Sequence, residues 1–327
     1  MNHFRDEDEL VKEIARHFLL SHVQNLRLGI GDDAALWKPK PGFMSILTSD
    51  WFLEGSHFLR EKHPPESVGW KCLARAASDI AAMGGTPRCF LLNLALPAAA
   101  TGNWLKNFLG GLRRAAKSLD CVLAGGDTTH SKRIFISVTV IGEIREGREV
   151  LRSGARPGDL LYVSGTLGEA ERGLRLLRNS RGQATPKNVV LRKHLYPEPR
   201  IALGRWLAER KLATAMMDIS DGLSSDLRRL CAASGVGALI DPRALPLPRG
   251  VGPESARRLA LHGGDDYELL FAVAPRKVRL LPARFQKLRL TPIGEITKQL
   301  GIRVIGKNGT RESLRVAGWD PFRQRNK

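Results

Sequence analysis

The sequence is short of aromatic residues and of cysteine, and it has no apolar run long enough to cross a bilayer. Each shortage removes a class of structure. With aromatics at 6% against a hydrophobic total of 43%, burial has to rest on Leu, Val, Ile and Ala, the filling of α/β layers rather than of an aromatic-rich sandwich. Cysteines at 72, 89, 121 and 231 form no C-x-x-C pair and stand apart from any histidine cluster. That argues against structural zinc and against a disulfide framework, and fits a reducing cytoplasm. The longest apolar run, Phe90 to Ala100, is about half of what a membrane span needs and contains Pro97. At the N-terminus, Asp6, Glu7, Asp8 and Glu9 accompany Leu10, Ile14 and Phe18 at helical spacing, which reads as an amphipathic helix and not as an export signal.

What is abundant is positive charge. Lys and Arg outnumber Asp and Glu by 52 to 33, a formal charge of +19 that attracts polyanions: nucleic acid, acidic membranes and phosphorylated metabolites alike. The bases are dispersed, few aromatics lie between them as stacking platforms, and no helix-turn-helix or aromatic RNA-binding strand is visible. A solvated basic surface is therefore the plain reading, and a nucleic-acid partner is not expected.

A chain of 327 residues exceeds what one core usually serves, so two domains of roughly 150 residues each are expected. Ser45 to Ser49 reads as a strand, Glu66 to Met83 as a helix stopped by Gly84 and Gly85, Cys121 to Ala124 and Ile134 to Ile141 as strands. The Arg- and Gly-bearing run from Glu143 to Pro157 looks like a connector, which divides the chain into residues 1–145 and 146–327. Beyond it, Asp159 to Ser164 and Tyr267 to Val273 read as strands and Gly168 to Leu177 and Gly222 to Ala233 as helices, with a loop and a short helix over Asn179 to Pro199. Both halves are mixed α and β.

Carboxylates recur beside glycine and hydroxyl residues at the ends of these strands: Gly31-Asp32-Asp33, Thr48-Ser49-Asp50, Gly125-Gly126-Asp127-Thr128, Asp218-Ile219-Ser220-Asp221-Gly222 and Gly263-Gly264-Asp265-Asp266. Any one is ordinary turn chemistry, and Asp221 before a helix would serve as an N-cap. Five on a basic chain suggest hard-cation sites, because Mg²⁺ takes oxygen ligands, usually one or two carboxylates with water and substrate phosphates. Asp79 is a weaker member, since an ion pair with Arg75 four residues earlier also accounts for it. Gly301 to Lys307 imitates a P-loop, but Asn308 replaces the metal-binding hydroxyl and Ile302-Arg303-Val304-Ile305 is strand-like. Nor does Gly29-Ile30-Gly31 continue into a dinucleotide fingerprint.

Taken in order, GIGDDAAL (29–36), TSDWFLEGSHF (48–58), ASDIAAMGGTP (77–87), GGDTT (125–129), RSGARPGD (152–159), DISDGLSSDL (218–227) and GGDDYELLF (263–271) resemble the thiamine-monophosphate kinase family over the whole chain. The wider group takes in aminoimidazole ribonucleotide and selenophosphate synthetases. The resemblance implies a two-domain α/β (mixed α+β) architecture. Its N-terminal domain forms the sheet of a homodimer, its C-terminal α/β domain completes the site, and ATP is held between them with several Mg²⁺ ions. It further implies a cytoplasmic enzyme that transfers the ATP γ-phosphoryl to thiamine monophosphate. Matched motif by motif, Asp33, Thr48, Ser49, Asp50, Asp79, Asp127, Asp218 and Asp221 correspond to metal ligands; Gly126, Asp127, Arg152 and Ser220 to ATP contacts; and His57, Asp265 and Trp319 to contacts with thiamine phosphate. Asp50, Asp127 and Arg152 are the implied catalytic residues. One departure stands out: Asp265 occupies a position where the family usually carries Glu.

Overall fold

The amphipathic N-terminal segment folds as α1 (Glu7–Phe18), which turns Ile14 and Phe18 inward, and Phe18 meets the edge of Phe90 with ring centroids 6.0 Å apart. The structure is a computed structural model and describes residues 7–18, 25–30, 34–180, 182–183, 189–306 and 308–322. After the short antiparallel pair β1 (Leu26–Leu28) and β2 (Leu36–Trp37), the chain runs through β3 (Phe43–Leu53), α2 (Pro65–Ala82), β4 (Thr86–Leu96), α3 (Asn103–Leu119), β5 (Val122–His130) and β6 (Phe135–Arg145). The four long strands pair in the order β3-β6-β4-β5, antiparallel except for β4 with β5.

The pleat of β3 sorts its residues by face. Ile46 and Phe52 are 7% and 1% exposed, whereas Leu47 and Trp51 on the other face are 70% and 60% exposed. Within this sheet β3 pairs only with β6, so it is also an edge. Helices α2 and α3 cross with almost no space between backbones: a Cβ on Gly111 would stand 1.9 Å from the Glu66 carbonyl oxygen. Only a residue without Cβ permits that approach.

The chain next passes through β7 (Leu160–Ser164) and α4 (Glu169–Asn179) before α5 (Val189–Leu195). Contacts divide it into two compact units: residues 1–80, 85–147 and 176–198 form the first, and residues 81–84, 148–175 and 199–327 the second. In the first unit α5 is fastened to α2 by a buried polar chain, with Lys71 Nζ 3.2 Å from His194 Nδ1 and His194 Nε2 3.1 Å from His63 Nε2.

The second unit adds α6 (Ile201–Glu209), β8 (Ala213–Ile219), α7 (Leu223–Ser234), β9 (Gly237–Ile240), α8 (Pro253–His262), β10 (Glu268–Val273), α9 (Pro275–Val278), β11 (Arg284–Phe285), β12 (Leu288–Thr297), β13 (Gly301–Ile305) and β14 (Arg311–Ser313). Its sheet runs β14-β13-β9-β12-β7-β10-β8, with β11 on β12, and is antiparallel except where β13 meets β9. Leu161, Val163, Ile219, Leu227, Ile240, Leu270 and Ile293 form its core, the aliphatic filling that the composition requires. Every residue of β10 is buried, Glu268 included. That carboxylate is matched by the Arg200 guanidinium, whose Nε donates to Oε2 at 2.8 Å, and by the Ser164 hydroxyl at 2.5 Å. The run that imitates a P-loop is β13, as its β-branched interior predicts.

Gly111→Ala sets two effects against each other. Helix propensity favours Ala by about 1 kcal/mol, while forcing a methyl against backbone typically costs about 1–3 kcal/mol. With a 1.9 Å approach the clash wins. The variant should show a lower urea midpoint with an unchanged m-value; a raised midpoint would show that α2 and α3 do not cross this closely.

Candidate active site

In the first unit the acidic residues gather where β3 meets α2. Thr48 Oγ1 donates to Asp79 Oδ2 at 2.5 Å, and Arg75 Nε donates to Asp50 Oδ2 at 3.1 Å. The Arg75 guanidinium carbon also lies 5.4 Å from the centre of the Phe52 ring, so packing and charge aim it together. Thr48 and Asp50 thus lie not at a strand end, as the sequence pattern suggests, but on one face in the interior of β3, and Asp127 likewise lies within β5; Asp79 joins the hydroxyl of Thr48, while Arg75 reaches the carboxylate of Asp50. Ser49 faces the other way, with its hydroxyl 3.0 Å from that of Thr139 on β6. His57 closes a turn after β3: the Leu53 amide donates to its Nδ1 at 3.0 Å, which leaves the ring proton on Nε2.

Gly126 and Asp127 line a cavity of about 910 Å³ together with Leu91, Asn93, Ile141 and Trp37. The backbone at Gly126 has φ +152°, and a Cβ there would meet the Leu92 carbonyl oxygen at 1.9 Å, so the strand bends here only because the residue is glycine. The Thr128 amide donates to Asp127 Oδ1 at 2.9 Å. Asp33 lies outside the described residues; Ile30 and Ala34, which flank residues 31–33, both line this cavity.

In the second unit Asp218 ends β8, buried, and the loop that follows is organised by Asp226 from the first turn of α7. Asp226 Oδ2 accepts the amides of Ser220 at 3.1 Å and Asp221 at 3.0 Å, while its Oδ1 accepts from Arg229 Nη1 at 2.5 Å. Arg229 Nη2 also lies 2.7 Å from Asp221 Oδ2. Burial pushes the Asp226 carboxyl up to about 7, helped by the Asp221 charge and opposed by Arg229. The Asp221 carbonyl in turn accepts the Trp319 amide at 2.8 Å, which ties the Trp319 backbone to the acidic loop.

Asp265 adopts φ +67°, a left-handed conformation that Asp tolerates better than longer side chains. Its amide donates to the Ser220 carbonyl at 2.7 Å, and its Oδ1 accepts the Tyr267 hydroxyl at 2.8 Å. Next to it Asp266 accepts the amides of Gly168 at 2.5 Å and Ala170 at 3.1 Å, capping α4 from far along the chain. Burial pushes this carboxyl up to about 8, against the pull of the two amides. Arg152 is exposed; its carbonyl accepts from Ser234 Oγ at 2.9 Å.

Within single units, then, the structure joins Thr48 with Asp79 and sets Gly126 beside Asp127, and it joins Ser220, Asp221, Asp265 and Trp319. It does not draw three acidic, histidine or cysteine side chains to one point among the described residues. The positions that the motifs do not reveal are Arg75, Asp226, Arg229 and Tyr267, all of which hold the acidic residues in place. Asp226 lies inside the DISDGLSSDL motif, but its service to amides five and six residues earlier appears only in three dimensions.

Acidic motifs on β3 and β5 of one α/β unit and after β8 of the other accompany a family match that defines a protein of the AIR synthase related class. Residues 31–144 match the N-terminal domain of AIR synthase related proteins and residues 156–307 match their C-terminal domain. Thiamine-monophosphate kinase of Bacillus subtilis (strain 168) is 35% identical over 328 residues, covering 97% of this chain and 100% of that protein. The crystal structure of thiamine-monophosphate kinase from Stenotrophomonas maltophilia K279a is 38% identical, with a TM-score of 0.82 over 92% of this chain and 96% of that one. A structure described as "AaThiL complexed with AMPPCP and TMP" is 35% identical, with a TM-score of 0.76 and 97% coverage of both chains. The chain belongs to the thiamine-monophosphate kinase family.

Asp226→Ala leaves two backbone amides without their acceptor and the Arg229 guanidinium with Asp221 alone, at a cost of about 3 kcal/mol. Denaturant unfolding should register that loss, and a change under about 0.5 kcal/mol would show that another group orders the Ser220–Asp221 loop.

Proposed function

We infer that this chain phosphorylates thiamine monophosphate to thiamine diphosphate at the expense of ATP, as a step in thiamine diphosphate biosynthesis. The observation that carries this reading is the near end-to-end match to thiamine-monophosphate kinases, among them a protein complexed with AMPPCP and TMP. The acidic residues that hydrogen bonds hold in place within β3 and after β8 support this reading.

The acceptor needs little activation. A phosphate monoester with a second pKa of about 6 is already largely dianionic at neutral pH, so no general base and no protein nucleophile are called for. The reaction is a direct in-line transfer in which two anions must be brought together. The donor set suits magnesium: hard oxygens of hydroxyls and carboxylates, Thr48 bonded to Asp79, Asp50 on the same face of β3, and Asp218 and Asp221 where the chain leaves β8, rather than a closed triad; the Ser49 side chain, on the opposite face of β3, does not join them. Those residues, with Asp127 and Asp33, would hold the ions, which supply charge neutralisation to the phosphates. Gly126 lets the backbone approach ATP, and Ser220 and Arg152 add a hydroxyl and a guanidinium for its phosphates. On the acceptor side His57 offers its Nε2 proton to the thiamine phosphate, and Trp319 packs on the cationic thiazolium. Asp265, braced by Tyr267 and set on a left-handed backbone, completes that contact.

We assign residues 1–145 to nucleotide, metal and dimer functions and residues 146–327 to completing the nucleotide and substrate sites. The homodimer is supported by β3, an unpaired edge eleven residues long whose Leu47 and Trp51 are 70% and 60% exposed. Four buried free thiols suit the cytoplasm, and no described helix is long and apolar enough to cross a membrane.

Incubation with ATP, Mg²⁺ and thiamine monophosphate should yield thiamine diphosphate; ATP consumption without that product would reject the assigned acceptor. Asp127→Asn removes a charge at constant volume and should lower kcat by 100-fold or more, an order of magnitude suited to a lost metal ligand, with an unchanged melting temperature. Wild-type turnover would remove Asp127 from the machinery. Trp51→Glu should convert the dimer to a monomer in light scattering after gel filtration, and an unchanged mass would exclude this edge as the interface.

A further inference from the structure

Two of the carboxylates assigned to metal are each shared with an arginine of their own unit. In the first unit Arg75 Nε donates to Asp50 Oδ2 at 3.1 Å, and in the second Arg229 Nη2 lies 2.7 Å from Asp221 Oδ2. Both guanidiniums are held in place. Arg75 lies over the ring of the buried Phe52, and Arg229 also donates to Asp226, whose side chain is fully buried. The carboxylates themselves stay within reach of solvent, at 29% exposure for Asp50 and 25% for Asp221. In each pair the bond is made to Oδ2, so the carboxylate keeps a second oxygen for another cation.

Part of the ordering at Asp221 is done without arginine, because Asp226 accepts the amides of Ser220 and Asp221 at 3.1 Å and 3.0 Å. To that ordered loop Arg229 adds a fixed positive charge. A unit positive charge beside a bound divalent ion lowers its affinity by a factor on the order of ten, even at the dielectric constant of water. The same charge has the opposite effect on a triphosphate, whose oxygens accept from a guanidinium two at a time. An ion that comes alone is therefore disfavoured, whereas an ion that comes with phosphates brings the negative charge that offsets the guanidinium. Metal and nucleotide are then coupled, each raising the affinity for the other by the same factor.

We propose that Arg75 and Arg229 keep Asp50 and Asp221 weak for a lone divalent cation and so make metal binding depend on the nucleotide. This inference rests on the reading of both aspartates as metal ligands of an ATP site, and its test needs no acceptor. Mn²⁺ alone, titrated into the full chain and followed by electron paramagnetic resonance, should bind about tenfold more tightly to Arg229→Gln than to the wild type. The ATP analogue AMPPCP at saturating Mg²⁺ should instead bind that variant about tenfold more weakly in calorimetry. Arg75→Gln should move both affinities in the same two directions. Arg229→Lys, which keeps the charge and loses the fork, should bind Mn²⁺ as the wild type does. Adding Asp221→Asn to Arg229→Gln should abolish the gain, which assigns it to that carboxylate. Arginines that only brace the carboxylates would give Gln variants that bind both ligands more weakly. That result overturns the proposal, as does an unchanged manganese affinity, or Arg229→Lys binding Mn²⁺ as tightly as Arg229→Gln. Opposed shifts in a chain that makes no thiamine diphosphate would reject the assigned acceptor and leave this inference standing.

Discussion

An aspartate can serve a cation or a phosphate only if something holds it in place without consuming it, and in this protein arginine does the holding. Arg75 fixes Asp50 while lying over Phe52, so the same guanidinium is anchored by the core and aimed at the acidic face of β3. Arg229 bridges Asp221 and Asp226, keeping two carboxylates close that would otherwise separate. Buried acids away from the loops follow the same rule: Glu143 meets Arg88 at 2.7 Å, and Glu268 meets Arg200. A basic chain can therefore carry so many acidic loops because part of its excess positive charge is spent inside the fold.

The pattern of faces divides the chemistry. On β3 one face turns Thr48 and Asp50 to α2, while the alternate face carries Leu47, Ser49 and Trp51 away from it. A single strand thereby serves two purposes that its period of two keeps from interfering. A one-residue slip would exchange them, and the buried Ile46 and Phe52 are what make that slip costly.

Much of this was legible in the linear sequence. The strands at Ser45, Cys121, Ile134 and Asp159 and the helices after Glu66, Gly168 and Gly222 lie where periodicity and glycine stops place them, because local patterning decides them. The Asp79 carboxylate was ambiguous, since an ion pair with Arg75 explained it equally well; its bond to Thr48 depends on the approach of β3, which no spacing reveals. Strand order was likewise hidden. Asp266 reads as a turn residue and Asp226 falls inside a helical run, yet each accepts backbone amides elsewhere, Asp266 from across 98 positions. Asp265 shows the converse, a shorter side chain that looks like a weakness in sequence and sits comfortably once the backbone is seen to be left-handed.

The bond from the Trp319 amide to the Asp221 carbonyl sets an order of events during synthesis. Asp221 leaves the ribosome long before Trp319 is made, so the acidic loop can form its bonds to Asp226 early but must wait for its last fastening. A nascent chain would thus hold most of the second unit's core before its acidic loop is complete.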